Sequence, residues 1–112
     1  MFNIERKDGI PIVQITGEID ISNAQNFKKF VLDNILNKGE KNCILDFSNM
    51  SYIDSSGLGI LVSLHKSFKI NGGEIVLVNL NNNVQNLFRM TSLDKALNLK
   101  GSIDEAIKFL KH

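Results

Sequence analysis

The stretch from Asn42 to Lys69 limits what this chain can fold into more than any other. Cys43 to Phe47 is a short apolar run with the length and composition of a buried strand, and after Gly57 apolar residues recur at Leu58, Leu61, Leu64 and Phe68, with His65 among them, at helical spacing. Between strand and helix sits a hinge of small hydroxyls, Asp54-Ser55-Ser56-Gly57, which offers several oxygens for a helix whose first amides have no intrahelical partner. Those amides also stabilise an added negative charge. A serine held there is therefore either a plain cap or a place where phosphate is carried.

The flanking sequence builds outward from this unit. Phe2, Ile4 and then Ile10 to Ile15 read as two strands joined by a tight turn at Asp8-Gly9, with Pro11 at the start of the second strand. That strand ends at Gly17-Glu18-Ile19-Asp20. Ser22 is expected to cap a helix whose apolar stripe is Ala24, Phe27, Phe30, Val31 and Ile35, stopped at Asn37-Lys38-Gly39. The central strand is predicted over Cys43 to Phe47, with a loop from Ser48 to Asp54 and a helix to Ile70. Glu74 to Leu80 is then a strand covered on both faces, Val84 to about Met90 a short helix, and Ala96 to Leu99 a last short strand. Ser102 caps a final helix with an acidic first turn. The predicted fold is α/β, a small mixed sheet flanked by helices in the order β-β-α-β-α-β-α-β-α, with the first strand at an edge and residues 1–112 forming one domain. The carboxyl-end loops of such a sheet carry function. If the second and third strands are neighbours, Asp20 and Ser55 share one rim.

Composition narrows the function. A formal net charge of +1, with lysines scattered on helix faces and no interleaved aromatics, gives no basis for nucleic-acid binding. One cysteine excludes an internal disulfide, and Cys43 opens an apolar strand, a packing position; two histidines beside it give no metal-ligand spacing. No run approaches the roughly 20 apolar residues that cross a membrane, and the first residues are neither a signal nor a transit peptide, so the expected location is the cytoplasm. Gly57 and Gly59 are followed by Ile60 and Leu61 rather than the lysine of a nucleotide loop. No base stands at motif-like distance from Ser55, so the chain is expected to perform no chemistry of its own and to need no cofactor.

Gly17-Glu18-Ile19-Asp20 with Ser22 and Ala24, Leu45-Asp46-Phe47-Ser48 leading to Tyr52-Ile53-Asp54-Ser55-Ser56-Gly57-Leu58-Gly59, and the glycine turn Gly72-Gly73 resemble the anti-sigma-factor antagonists of the STAS domain class over essentially the whole chain. The resemblance implies a partner that is both an anti-sigma factor and an ATP-dependent serine kinase. The unphosphorylated antagonist captures that kinase and frees the sigma factor. Phosphorylation of the first serine after the motif aspartate, here Ser55, breaks the complex, and a protein phosphatase restores it. Asp20 and Asp54 would then form the surrounding acidic patch, with Ser56, Gly57 and Leu58 completing the partner-binding residues. The wider class also includes transporter-attached domains, which the length of this chain disfavours, and scaffolds of other signalling assemblies, which it does not.

Each of these residues also has a purely structural reading. Either serine could be the cap, and Asp20 and Asp54 could each fold a carboxylate onto the cap of its own helix. Gly57 could be an ordinary small residue or could keep the approach to Ser55 open, while Gly59 is expected to permit close packing of the first helical turn. Because Leu61, Leu64 and Phe68 can satisfy the buried stripe, Leu58 is expected on a more exposed face. Asp46, inside an apolar strand, is expected at a rim or bonded to nearby amides. Phe88 and Met90 are assigned either to the core or to the helix surface.

Overall fold

The computed structural model describes residues 2–111; Met1 and His112, the ends of the expected domain, lie outside them. Phe2–Lys7 (β1) and Ile10–Ile19 (β2) pair antiparallel, from Phe2 opposite Ile15 to Lys7 opposite Ile10. Asp8 and Gly9 turn the chain with φ of 54° and 78°, the left-handed pair whose twist matches that of a hairpin. Ala24–Asn34 (α1) and a 3-10 turn at Leu36–Lys38 lead to Asn42–Ile53 (β3), and Ser55–Ile70 (α2) returns the chain to Glu74–Val78 (β4). Asn82–Met90 (α3), Leu93–Ala96 (α4), Asn98–Lys100 (β5) and Ile103–Leu110 (α5) complete the fold. The sheet order is β1-β2-β3-β4-β5, parallel throughout except for β1 at the edge, so the expected mixed α/β architecture is the one observed.

Strand alternation divides the interior in two. Val13, Ile15, Leu45, Phe47, Ile75 and Leu77 point to the face covered by α1, α2 and α3, where Phe27, Val31, Leu64, Phe68, Val84 and Phe88 meet them. Ile12, Ile44, Val76 and Val78 point the other way, onto Ala106 and Ile107 of α5. β4 is thus apolar on both faces because it is covered on both. Ser102 caps α5 as expected, accepting from the Glu105 amide at 3.2 Å.

Three expectations are corrected. α4 is an additional short helix between α3 and β5. Residues 48–53 are not a loop: β3 continues to Ile53, paired with the end of β2. It does so by bulging, since one extra residue lies between Asp46 and Asn49 and another between Met50 and Tyr52 relative to β2. The bulges break the two-residue alternation, so Met50 and Ile53 are buried three apart and the segment carries no strand-like pattern. Finally, Leu58 is buried at 7% exposure, beside Leu61 at 2%. α2 packs on β3 and β4 and also against α1, which widens its buried arc beyond a single stripe. Leu58→Ala is accordingly expected to cost about 2–5 kcal/mol of stability, as Leu61→Ala does, by leaving a cavity. Urea unfolding of both variants checks this, and a Leu58→Ala variant as stable as the wild type would return Leu58 to the surface.

Candidate functional site

The bulged end of β3 brings the last residues of two parallel strands level, Ile19 of β2 opposite Ile53 of β3. The next amide, that of Asp54, donates to the Ile19 carbonyl at 3.2 Å. Asp54 has extended backbone and is the N-cap of α2: its Oδ1 accepts from the Gly57 amide at 3.0 Å. Its Oδ2 accepts from the Ile21 amide at 3.1 Å, in the loop after β2. One carboxylate therefore fastens the start of α2 to the β2–α1 loop, and the cap is this aspartate rather than either serine.

Gly57 makes this junction possible. A Cβ there would stand 2.5 Å from Ile53 Cγ1 and 3.0 Å from the Ile19 carbonyl oxygen, so only glycine lets the helix begin against the two strand ends. Gly57 is buried, and close approach, not access to Ser55, is what it provides. The packing role expected of Gly59 belongs to Gly57, because Gly59 is exposed with open space where a Cβ would go.

Ser55, the first residue of α2, is exposed, and Ser56 is half-buried. Among the described residues neither hydroxyl makes a hydrogen bond within the protein, and neither backbone amide has a protein acceptor. Across the rim, Asp20 accepts from the Ser22 amide at 2.9 Å and from the Ser22 hydroxyl. These donors hold the Asp20 carboxyl below the usual carboxylate range, so it is ionised at neutral pH. Ser22 consequently does not cap α1, which starts at Ala24 from a turn closed by the Asp20 carbonyl. The loop leaves Ile21 81% exposed, a large apolar side chain that nothing in the sequence pattern singled out.

The remaining candidates separate from this rim. Asp46 is buried and accepts from the Ser48 amide and from Asn79 Nδ2, each at 3.0 Å, which ties β3 to the end of β4. Burial pushes the Cys43 thiol well above its ordinary range, so it stays protonated and inert. His65 is half-buried ten residues into α2, about 15 Å along the helix from Ser55, too far to serve it as a base. Phe88 is core, whereas Met90 is exposed.

Sequence comparison agrees with this geometry: the STAS domain profile matches residues 1–106. The chain belongs to the STAS domain family. A Thermotoga maritima protein provisionally named an anti-sigma factor antagonist is 36% identical over 108 residues, covering 96% of each chain. A Thermotoga maritima crystal structure described in the same provisional terms superposes with a TM-score of 0.93 at 34% identity, over 99% of this chain and 95% of that one. The anti-sigma factor antagonist SpoIIAA in its unphosphorylated form and Bacillus SpoIIAA in the phosphorylated form superpose with TM-scores of 0.74 and 0.71 over 99% and 96% of this chain and 98% and 97% of those. Their 18% and 20% identity speaks for the STAS fold alone.

In this STAS domain the two motif glycines should respond oppositely to alanine. Gly57→Ala is expected to lose about 1–3 kcal/mol by overpacking. Gly59→Ala, on an open helical face, is expected to gain about 0.5–1 kcal/mol. Thermal and urea unfolding distinguish the two, and equal responses would remove the close-approach argument. Asp54→Ala, which strips the cap and the Ile21 contact together, is expected to cost about 1–3 kcal/mol.

Proposed function

We propose that this STAS domain, residues 1–112 acting as one unit, is an anti-sigma factor antagonist switched by phosphorylation at Ser55. Unphosphorylated, it binds an anti-sigma factor with serine kinase activity and so releases the sigma factor; a protein phosphatase resets the phosphorylated form. The observation that carries this reading is the state of Ser55: exposed at the first position of α2, its hydroxyl free, while Asp54 does the capping that would otherwise occupy it. The relatives named as antagonists support the role. Asp20, Asp54 and Ser56 form the contact rim around Ser55. Gly57 and Leu58 are buried, so they enter as supports of the helix start rather than as contacts.

The switch is electrostatic. Transfer of the γ-phosphoryl group of ATP to Ser55 Oγ, with ADP leaving and the hydroxyl proton passing to the kinase, adds roughly −1.5 to −2 charges. In the free protein the unspent amides and the α2 dipole accommodate that charge. Against a partner it is desolvated beside the Asp20 and Asp54 carboxylates, which costs several kcal/mol. About 3 kcal/mol already weakens binding by about two orders of magnitude.

Purified candidate anti-sigma kinases mixed with this protein and ATP, followed by mass spectrometry and calorimetry, test the proposal. Phosphate is expected on Ser55, Ser55→Ala should bind like the wild type and take up none there, and Ser55→Asp should bind at least about tenfold more weakly. Equal affinity of all forms eliminates the switch and leaves a constitutive binding module. Loss of the folded circular dichroism spectrum on phosphorylation would replace charge repulsion with unfolding.

A further inference from the structure

β4 ends opposite Asp46, so the last part of β3, from Phe47 to Ile53, has a strand partner among the described residues on its β2 side alone. α3 stands off the other edge, anchored by Asn81 Nδ2, which donates to the Met50 carbonyl at 3.2 Å. Between strand and helix lies an open groove of about 250 Å³, with buried Ile53 and Val84 at its base and Tyr52, Leu87 and Met90 along its sides. Tyr52 is 52% and Met90 82% exposed, so two of the large apolar side chains this fold leaves in water meet at one concavity. The volume falls below the roughly 300–1,000 Å³ of small-molecule sites and suits one or two protein side chains.

Charge specifies what those side chains belong to. Glu18, opposite Tyr52 in the strand ladder, and the neighbouring Asp20 and Asp54 take part in none of the ion pairs among the described residues. The bonds of Asp20 and Asp54 come from uncharged N–H and O–H donors; Arg89 of α3 bonds Asn86, which lines the groove, so one cation on the helix side stands against these three carboxylates on the strand side. A largely apolar groove flanked by three carboxylates and one arginine has a net negative surround, which attracts cations and repels acidic chains.

We propose that this groove docks a leucine or methionine flanked by lysine or arginine on the anti-sigma factor, an assignment that rests on the function proposed above. Ile53 leads directly into Asp54 and Ser55, so a partner anchored here lies across the serine, and a phosphate added there falls at the edge of the same contact.

The test uses the full unphosphorylated chain, isotope-labelled for NMR, and two peptides of about four helical turns. Both carry the same leucine stripe; one is otherwise lysine and the other otherwise glutamate. The lysine peptide is expected to shift the amides of residues 51–53 and 83–90 saturably, and the glutamate peptide to bind at least about tenfold more weakly. Tyr52→Ser combined with Met90→Gln should weaken the lysine peptide at least about tenfold at an unchanged melting temperature. Shifts spread over the surface or centred on Ile70 or Phe109, insensitivity to the double substitution, or equal binding of both peptides would overturn the docking site. Since neither kinase nor phosphate takes part, groove binding by a chain that no kinase phosphorylates at Ser55 would defeat the switch and leave the dock standing.

Discussion

The parallel pairing of β2 with the overlong end of β3 is the constraint on which the rest of the rim depends. β3 takes two more residues than β2 to reach the same level, and beyond the end of β4 those bulges set Ile53 beside Ile19. With the two strand ends level, the Asp54 amide can bond the Ile19 carbonyl and α2 can begin at once. The start is tight enough that a single methyl group at position 57 would collide with both strands. Ser55 is exposed because everything around it is held: the helix cannot slide along the strand without breaking the cap or striking Ile53.

A second consequence is electrostatic. The Asp54 carboxylate has one oxygen on α2 and the other on the β2–α1 loop, while Asp20 in that loop is satisfied by Ser22. Both carboxylates are thus pinned by backbone amides and, at Asp20, by the Ser22 hydroxyl rather than neutralised by cations, which keeps their charge on the rim. The same arrangement that tolerates a phosphate in the free domain, through the unspent amides at the head of α2, makes that phosphate costly when a partner excludes water from it. The projecting end of β3 also leaves an unpaired edge and a groove against α3, so one irregularity in the sheet shapes both the serine and its apolar neighbourhood.

Much of this was legible in the sequence. The apolar run from Cys43 to Phe47, the helical spacing after Gly57, the Asp8-Gly9 turn and the two-faced strand at Ile75 to Val78 specify local structure through periodicity, and their alternation specifies the class of fold. The placing of Asp20 and Ser55 on one rim follows once β2 and β3 are neighbours, which the βα alternation favours. Asp46 could be read as either at a rim or bonded to nearby amides because an unpaired carboxylate inside an apolar strand is too costly to stand alone, and it is the bonded alternative that the structure shows.

What the tertiary structure alone decided has a common physical cause: it depends on contacts between segments distant in sequence. The strand character of residues 48–53 comes from pairing with β2 across a bulge, which erases the alternation that would have announced it. Leu58 is buried on a helix that packs against α1 as well as β3 and β4, neighbours no single helical stripe records. Gly57 and Gly59 are the same residue type two positions apart, yet one faces two strand ends and the other open solvent. Which of three adjacent oxygens caps α2 was likewise settled by reach, since Asp54 alone could bond its own helix and the loop after β2 at once. The sequence by itself determined the elements, their order and the chemistry available at the rim; contacts between segments 31 to 34 residues apart decided which of those groups are held, which are buried and which are left to meet a partner.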